Sequence, residues 1–183
     1  MSNANARKQK LQEQDQQARN ILTATTVTHM ETIKGTLDLF LDTLIEIGCQ
    51  YDLNDGEEGK VHFAYQGEHF FVAADNDRPY VIIYDYAWGS VELYDIDEVS
   101  RLRKAINEAN CTNSVTTVFT IDETSKTMDV HCKTVILFIP QIPNLDHYLK
   151  VELNEFFRAH RAVENEMTRL RGLEAENKVE KRT

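Results

Sequence analysis

The sequence predicts an α+β domain in the order helix, three strands, helix, two strands, helix. Three observations predict it. First, three apolar runs, Val61–Tyr65, Phe70–Ala74 and Tyr80–Tyr84, follow one another with only short polar breaks. Second, an amphipathic stretch at Asp95–Asn110 separates them from two further alternating runs, Ser114–Ile121 and Thr127–Ile139. Third, stripes of apolar residues at steps of three and four flank the array on both sides, at Thr28–Cys49 and from Asn144 onward.

Composition bounds the class. A chain of 183 residues with 42% hydrophobic content suits one domain with an adequate core. Its formal charge of −10 argues against general binding to nucleic-acid phosphates or anionic membranes, both of which need a basic footprint. The longest apolar run, Val135–Ile139, is far too short to span a bilayer. The first ten residues contain no apolar signal region, which leads to a cytoplasmic expectation. Cys49, Cys111 and Cys132 are widely spaced, as expected of free thiols in a reducing compartment.

Residues 1–27 are polar and read as a frayed helix or a tail. Thr28 and Glu31 have capping-box spacing, and Ile33, Leu37, Phe40, Leu41, Leu44 and Ile45 form the stripe of the first helix, which leaves at Gly48. The acidic stretch Asp52–Gly59 resembles a calcium loop only loosely, its glycine standing one position too early, and reads as a solvated turn. Gln66-Gly67 makes a two-residue hairpin that pairs Tyr65 with Glu68. That register puts Phe63, Tyr65, Phe70, Val72 and Ala74 on the core face, and His62, Ala64, His69, Phe71 and Ala73 on the other.

The third strand, Tyr80–Trp88, is apolar on both faces. Ile96, Val99, Leu102 and Ile106 form the stripe of the second helix, and Asn107 and Asn110 near its end read as structural. In the last two strands Val115, Phe119, Ile121, Met128, Val130, Cys132, Ile136 and Phe138 share one side; Thr116, Thr120, Asp129, His131 and Lys133 share the other. The final helix, capped by Asn144 or Asp146, extends to about residue 177, roughly 50 Å at 1.5 Å per residue. Leu149, Leu153, Phe156 and Phe157 dock it on the sheet; Val163, Met167, Leu170 and Leu173 form a thinner stripe leaving the body.

Catalytic and metal motifs are absent. His131 and Cys132, neighbours on a strand, point to opposite faces and cannot share an ion unless the strand bulges. His62 and His69 become diagonal neighbours on one face, yet no third ligand is evident, so no metal, cofactor or catalytic residue is predicted. The stripe Tyr80, Tyr84, Tyr86 and Trp88 reads as packing, or as a binding surface for a peptide or ligand. The candidate binding residues are therefore Tyr84, Tyr86, Trp88, His62 and His69.

The element order, the strand-to-helix passage Tyr84–Asp95 and the segment Ala105-Ile-Asn-Glu-Ala-Asn110 resemble the YbjN-like family, which has the type III secretion chaperone-like fold. The resemblance covers residues 28–165, leaving 1–27 as a polar tail and 166–183 as an extension of the last helix with a charged end. It implies a two-layer domain with a five-stranded antiparallel sheet in the order one-two-five-four-three. It also implies a cytoplasmic bacterial protein, frequently a homodimer, without known enzymatic activity. The expected function is non-enzymatic, chaperone-like or regulatory, through contacts with a protein or peptide client. The alternative is a small-ligand sensor or regulatory subunit that uses the aromatic and histidine surface of the sheet. A homodimer is expected on physical grounds too, because both sheet faces and the end of the last helix carry apolar residues.

Overall fold

The computed structural model describes residues 34–53 and 60–180, with side chains up to 176. The polar segment 1–27, the Thr28 and Glu31 capping residues, Ile33, the acidic segment 54–59 and residues 181–183 lie outside the described residues. In chain order the elements are α1 (Thr36–Glu46), β1 (Tyr51–Leu53), β2 (Lys60–Tyr65), β3 (Glu68–Ala73), β4 (Tyr80–Asp85), β5 (Gly89–Glu92), α2 (Ile96–Thr112), β6 (Thr116–Asp122), β7 (Thr127–Leu137) and α3 (Leu145–Glu180). Among the described residues the architecture is a mixed α+β arrangement with one antiparallel sheet of seven strands.

The sheet corrects two expectations. It has seven strands rather than five, because β1 adds a short edge and the expected third strand breaks after Asp85 into β4 and β5. Its order also differs from the one the resemblance implies. The strands run β1-β2-β3-β4-β7, with β5 beside β7 in line with β4, and β6 on the opposite edge of β7. The turn between β3 and β4 explains this: a short connection keeps consecutive antiparallel strands adjacent. The eleven-residue β7 is long enough to pair with β4 through Lys133–Leu137 and with β5 through Thr127–Val130.

Local chemistry sets the hairpin and the helix ends. Tyr65 pairs with Glu68, as the sequence predicts, and Gln66 (φ 51°) and Gly67 (φ 89°) supply the left-handed pair of a tight hairpin turn. Helix α1 starts at Thr36, with Gly35 at its N-cap position. It ends at Gly48 (φ 83°), where the Gly48 and Cys49 amides donate to the Ile45 and Leu44 carbonyls. Asp95 caps α2, its side chain accepting from the Glu98 amide. Asn110 then ties α2 to β6: its amide donates to the Thr117 carbonyl at 2.9 Å and its oxygen accepts from the Thr117 N–H at 2.8 Å. Asn107 is exposed and takes no part in that clamp.

One face of the sheet carries the core. Val61, Phe63, Phe70, Val72, Val81, Ile83, Cys132 and Ile136 pack there against Phe40 and Leu44 of α1 and Leu149, Leu153 and Phe156 of α3. A second cluster joins Leu102, Ala105, Ile106 and Ala109 of α2 to Met128 and Val130 of β7 and to Val163 and Met167 of α3. Val163 and Met167 thus do not leave the body, as the sequence suggests; α2 covers them, and the stripe opens only at Leu173, 43% exposed. Ile45, Ile96, Phe119 and Ile121 are exposed against expectation. Ile45 and Ile96 sit in the terminal turns of α1 and α2, and Phe119 and Ile121 lie on β6, an edge strand that pairs only with β7.

Candidate functional site

Two places concentrate chemistry, one on each face of the sheet. On the face away from the helices, the register aligns side chains from four strands. His62 stands opposite Phe71, Phe71 opposite Tyr84, and Tyr84 opposite Lys133. The next row runs Ala73, Ile82, Val135, and beside it Tyr80 faces Leu137. Phe71 and Tyr84 stack with centroids 4.6 Å apart and rings 4° from parallel. Tyr86 lies across them, 5.7 Å from Phe71 and edge-on to His69 at 6.4 Å, and its hydroxyl is 2.7 Å from His62 Nδ1. No helix packs on this face among the described residues, and Tyr80, Val135 and Leu137 are 53%, 56% and 40% exposed.

Four of the five candidate binding residues, His62, His69, Tyr84 and Tyr86, therefore gather on the open face. Trp88 does not, which corrects the expectation of a continuous stripe. Residues 86–88 leave the pleat after β4, and strand alternation no longer dictates where their side chains point. The Trp88 amide donates to the Val130 carbonyl, and its ring turns to the core side, where it stacks on His160 at 4.4 Å.

That turn encloses the second place. Asp85 at the end of β4, Cys132 in β7 and His160 in α3 converge under the Trp88 ring, and they are 2%, 0% and 8% exposed. Asp85 Oδ1 accepts the Cys132 amide at 2.5 Å, and Oδ2 pairs with His160 Nε2 at 2.7 Å. The Thr117 hydroxyl lies 3.4 Å from the Cys132 sulfur. Burial, seconded by the Asp85 charge, pushes the Cys132 thiol up to about 12, and the Thr117 and Trp88 donors act in the opposite direction. A thiol so held is no nucleophile near neutral pH.

The sequence misses this cluster because its members are far apart, His160 standing 75 residues from Asp85. One signal was available. Asp85 interrupts an apolar strand at a core-facing position, and a carboxylate placed there needs buried partners.

No known protein family's sequence pattern matches the chain, and no curated protein matches it. The fold has a likeness among solved structures. The crystal structure of YbjN, "a putative transcription regulator from E. coli", aligns with a TM-score of 0.49 at 9% identity, covering 67% of this chain and 86% of that chain. The likeness is one of general α+β architecture, and no residue role is carried across it. No helix among the described residues is long and apolar enough to cross a membrane.

Proposed function

We propose that this chain is a non-enzymatic binding protein whose open sheet face is its contact surface, and that a second copy of the chain occupies it. The observation that carries the reading is the contiguous apolar and aromatic row of Phe71, Tyr80, Ile82, Tyr84, Val135 and Leu137, of which Tyr80, Val135 and Leu137 are exposed and the other three half-buried. Soluble monomers seldom leave such a patch open. Charge favours self-pairing at this face over others. The chain carries −10 overall and its acidic surfaces repel, whereas this face presents apolar and aromatic side chains with Lys60 and Lys133 among them and no carboxylate in the Phe71–Tyr84 and Ala73–Val135 rows. A two-fold interface would set the same ladder against itself.

Sedimentation equilibrium at micromolar concentration tests the reading. The expected mass is twice 21.1 kDa for the native chain and 21.1 kDa for Val135→Glu, which places a charge in the middle of the patch. A native chain that sediments at 21.1 kDa overturns it. The small-ligand alternative centres on the hollow lined by Tyr51, His62, His69, Phe70 and Tyr86. That hollow is shallow and open, a shape better suited to a protein surface than to enclosing a small molecule.

A further inference from the structure

We infer that Asp85, Cys132 and His160 form a binding site for a divalent transition-metal ion of the zinc class, between β4, β7 and α3. A carboxylate oxygen, a sulfur and an imidazole nitrogen are a donor set that such an ion prefers. One ligand atom from each residue lies within 4.8 Å of the other two. Donors sharing a tetrahedral zinc stand about 3.3–3.8 Å apart, given metal–ligand bonds of about 2.0–2.3 Å, so closing the site needs side-chain shifts of only about 1 Å.

Three further features suit a metal thiolate better than a thiol. The charges balance, since a carboxylate, a thiolate and a neutral imidazole around a divalent cation leave no net charge in the core. The sulfur has donors beside it. Thr117 Oγ1 is 3.4 Å away, and the indole N–H of Trp88, whose ring stacks on His160, is buried without a hydrogen-bond partner. A thiolate accepts such bonds far better than a thiol, so metal binding would satisfy a buried donor otherwise left unpaired. Asp85 also keeps an outer support, because its second oxygen stays on the Cys132 amide.

Binding exchanges one proton. The Cys132 thiol releases its proton to solvent as sulfur bonds to the metal, and His160 binds through Nε2 with its remaining hydrogen on Nδ1. Three protein ligands leave the fourth tetrahedral position to water. The residues are buried, so the ion enters as the chain folds. This site does not depend on the open face of the sheet, and either proposal can fail alone.

The test is to unfold the full chain under reducing conditions and refold it with one equivalent of Co2+. The expected result is a strong near-ultraviolet sulfur-to-cobalt charge-transfer band that excess Zn2+ removes. The same band is expected at full intensity in the Cys49→Ser/Cys111→Ser variant, where Cys132 is the sole thiol. A folded double variant without the band, or a Cys132→Ser variant that keeps it, overturns the site. Independently of any variant, native chain refolded with Zn2+ and gel-filtered should retain one zinc per chain by elemental analysis; protein that retains none overturns the proposal.

Discussion

The two faces of the sheet are built from the same strands and similar residues, yet among the described residues only one of them is covered by helices. On the covered face, Phe70, Val72, Val81 and Ile83 are fully buried beneath α1 and α3. Alternating with them, Phe71, Ala73, Ile82 and Tyr84 point to the side that no described helix covers. A pleated strand can be apolar on both sides, and the comparison teaches that helix placement, not strand composition, decides which side becomes the core. The covered face also tolerates polarity only when it is completely partnered. Asp85, its buried carboxylate, spends both oxygens on hydrogen bonds, whereas the open face leaves His62 and Tyr86 paired at the surface.

Four substitutions sharpen that contrast. The largest effect belongs to Asp85→Ala, which strands the His160 ring and the Cys132 amide in the core. A loss of about 3–5 kcal/mol is expected in urea unfolding, the range for breaking a buried polar pair from one side. A loss under about 1 kcal/mol would show that the cluster is solvated and the two faces less different than they look. Leu102→Ala follows, in the cluster beneath α2, where Leu102 is 4% exposed. It should cost about 2–5 kcal/mol, and a cost below about 0.5 kcal/mol would mean that α2 does not bury this side.

Glu98→Gln comes next, with a smaller loss and a pH signature. Glu98 pairs with Arg171 through both oxygens at 3.0 Å and with Arg101 at 2.9 Å, joining α2 to α3. The hydrogen bond from Arg171 comes first among the influences holding the Glu98 carboxyl below its ordinary value. A lowered pKa in the folded state gives stability that is present above the unfolded-state value and lost as pH falls through the folded one. Thermal melts should show the native chain above the variant at neutral pH, with the gap closing on acidification below the ordinary glutamate range. A gap independent of pH would remove Glu98 as the titrating group. The smallest effect is on the open face. Val135→Thr keeps the β-branched shape at a position 56% exposed, and in the monomer it should change stability by no more than about 0.5 kcal/mol. A loss above about 1.5 kcal/mol at concentrations where the chain is monomeric would mean that another part of the same chain covers this face.

Much of the fold is legible in the sequence because its signals are local. The Tyr65–Glu68 hairpin, the Gly48 exit, the Asp95 start of α2 and the buried Leu149-Leu153-Phe156 stripe each depend on residues within a turn or two of one another. The YbjN-like resemblance agrees with the α+β class and fails on the strand order, since β4 pairs directly with both β3 and β7. His62, His69, Tyr84 and Tyr86 are also found together, because hairpin register and strand alternation fix which face each takes.

What the sequence by itself determined is the set of elements, the two faces of each strand and the gathering of four aromatic and histidine side chains. These follow from backbone period and turn chemistry, which act over a few residues. Only the tertiary structure decided that α2 would cover Val163 and Met167, that Trp88 would turn inward, and that Asp85, Cys132 and His160 would meet. Those outcomes depend on how α3 crosses the sheet. A crossing is set by the summed packing of side chains distant in sequence, which no local pattern encodes.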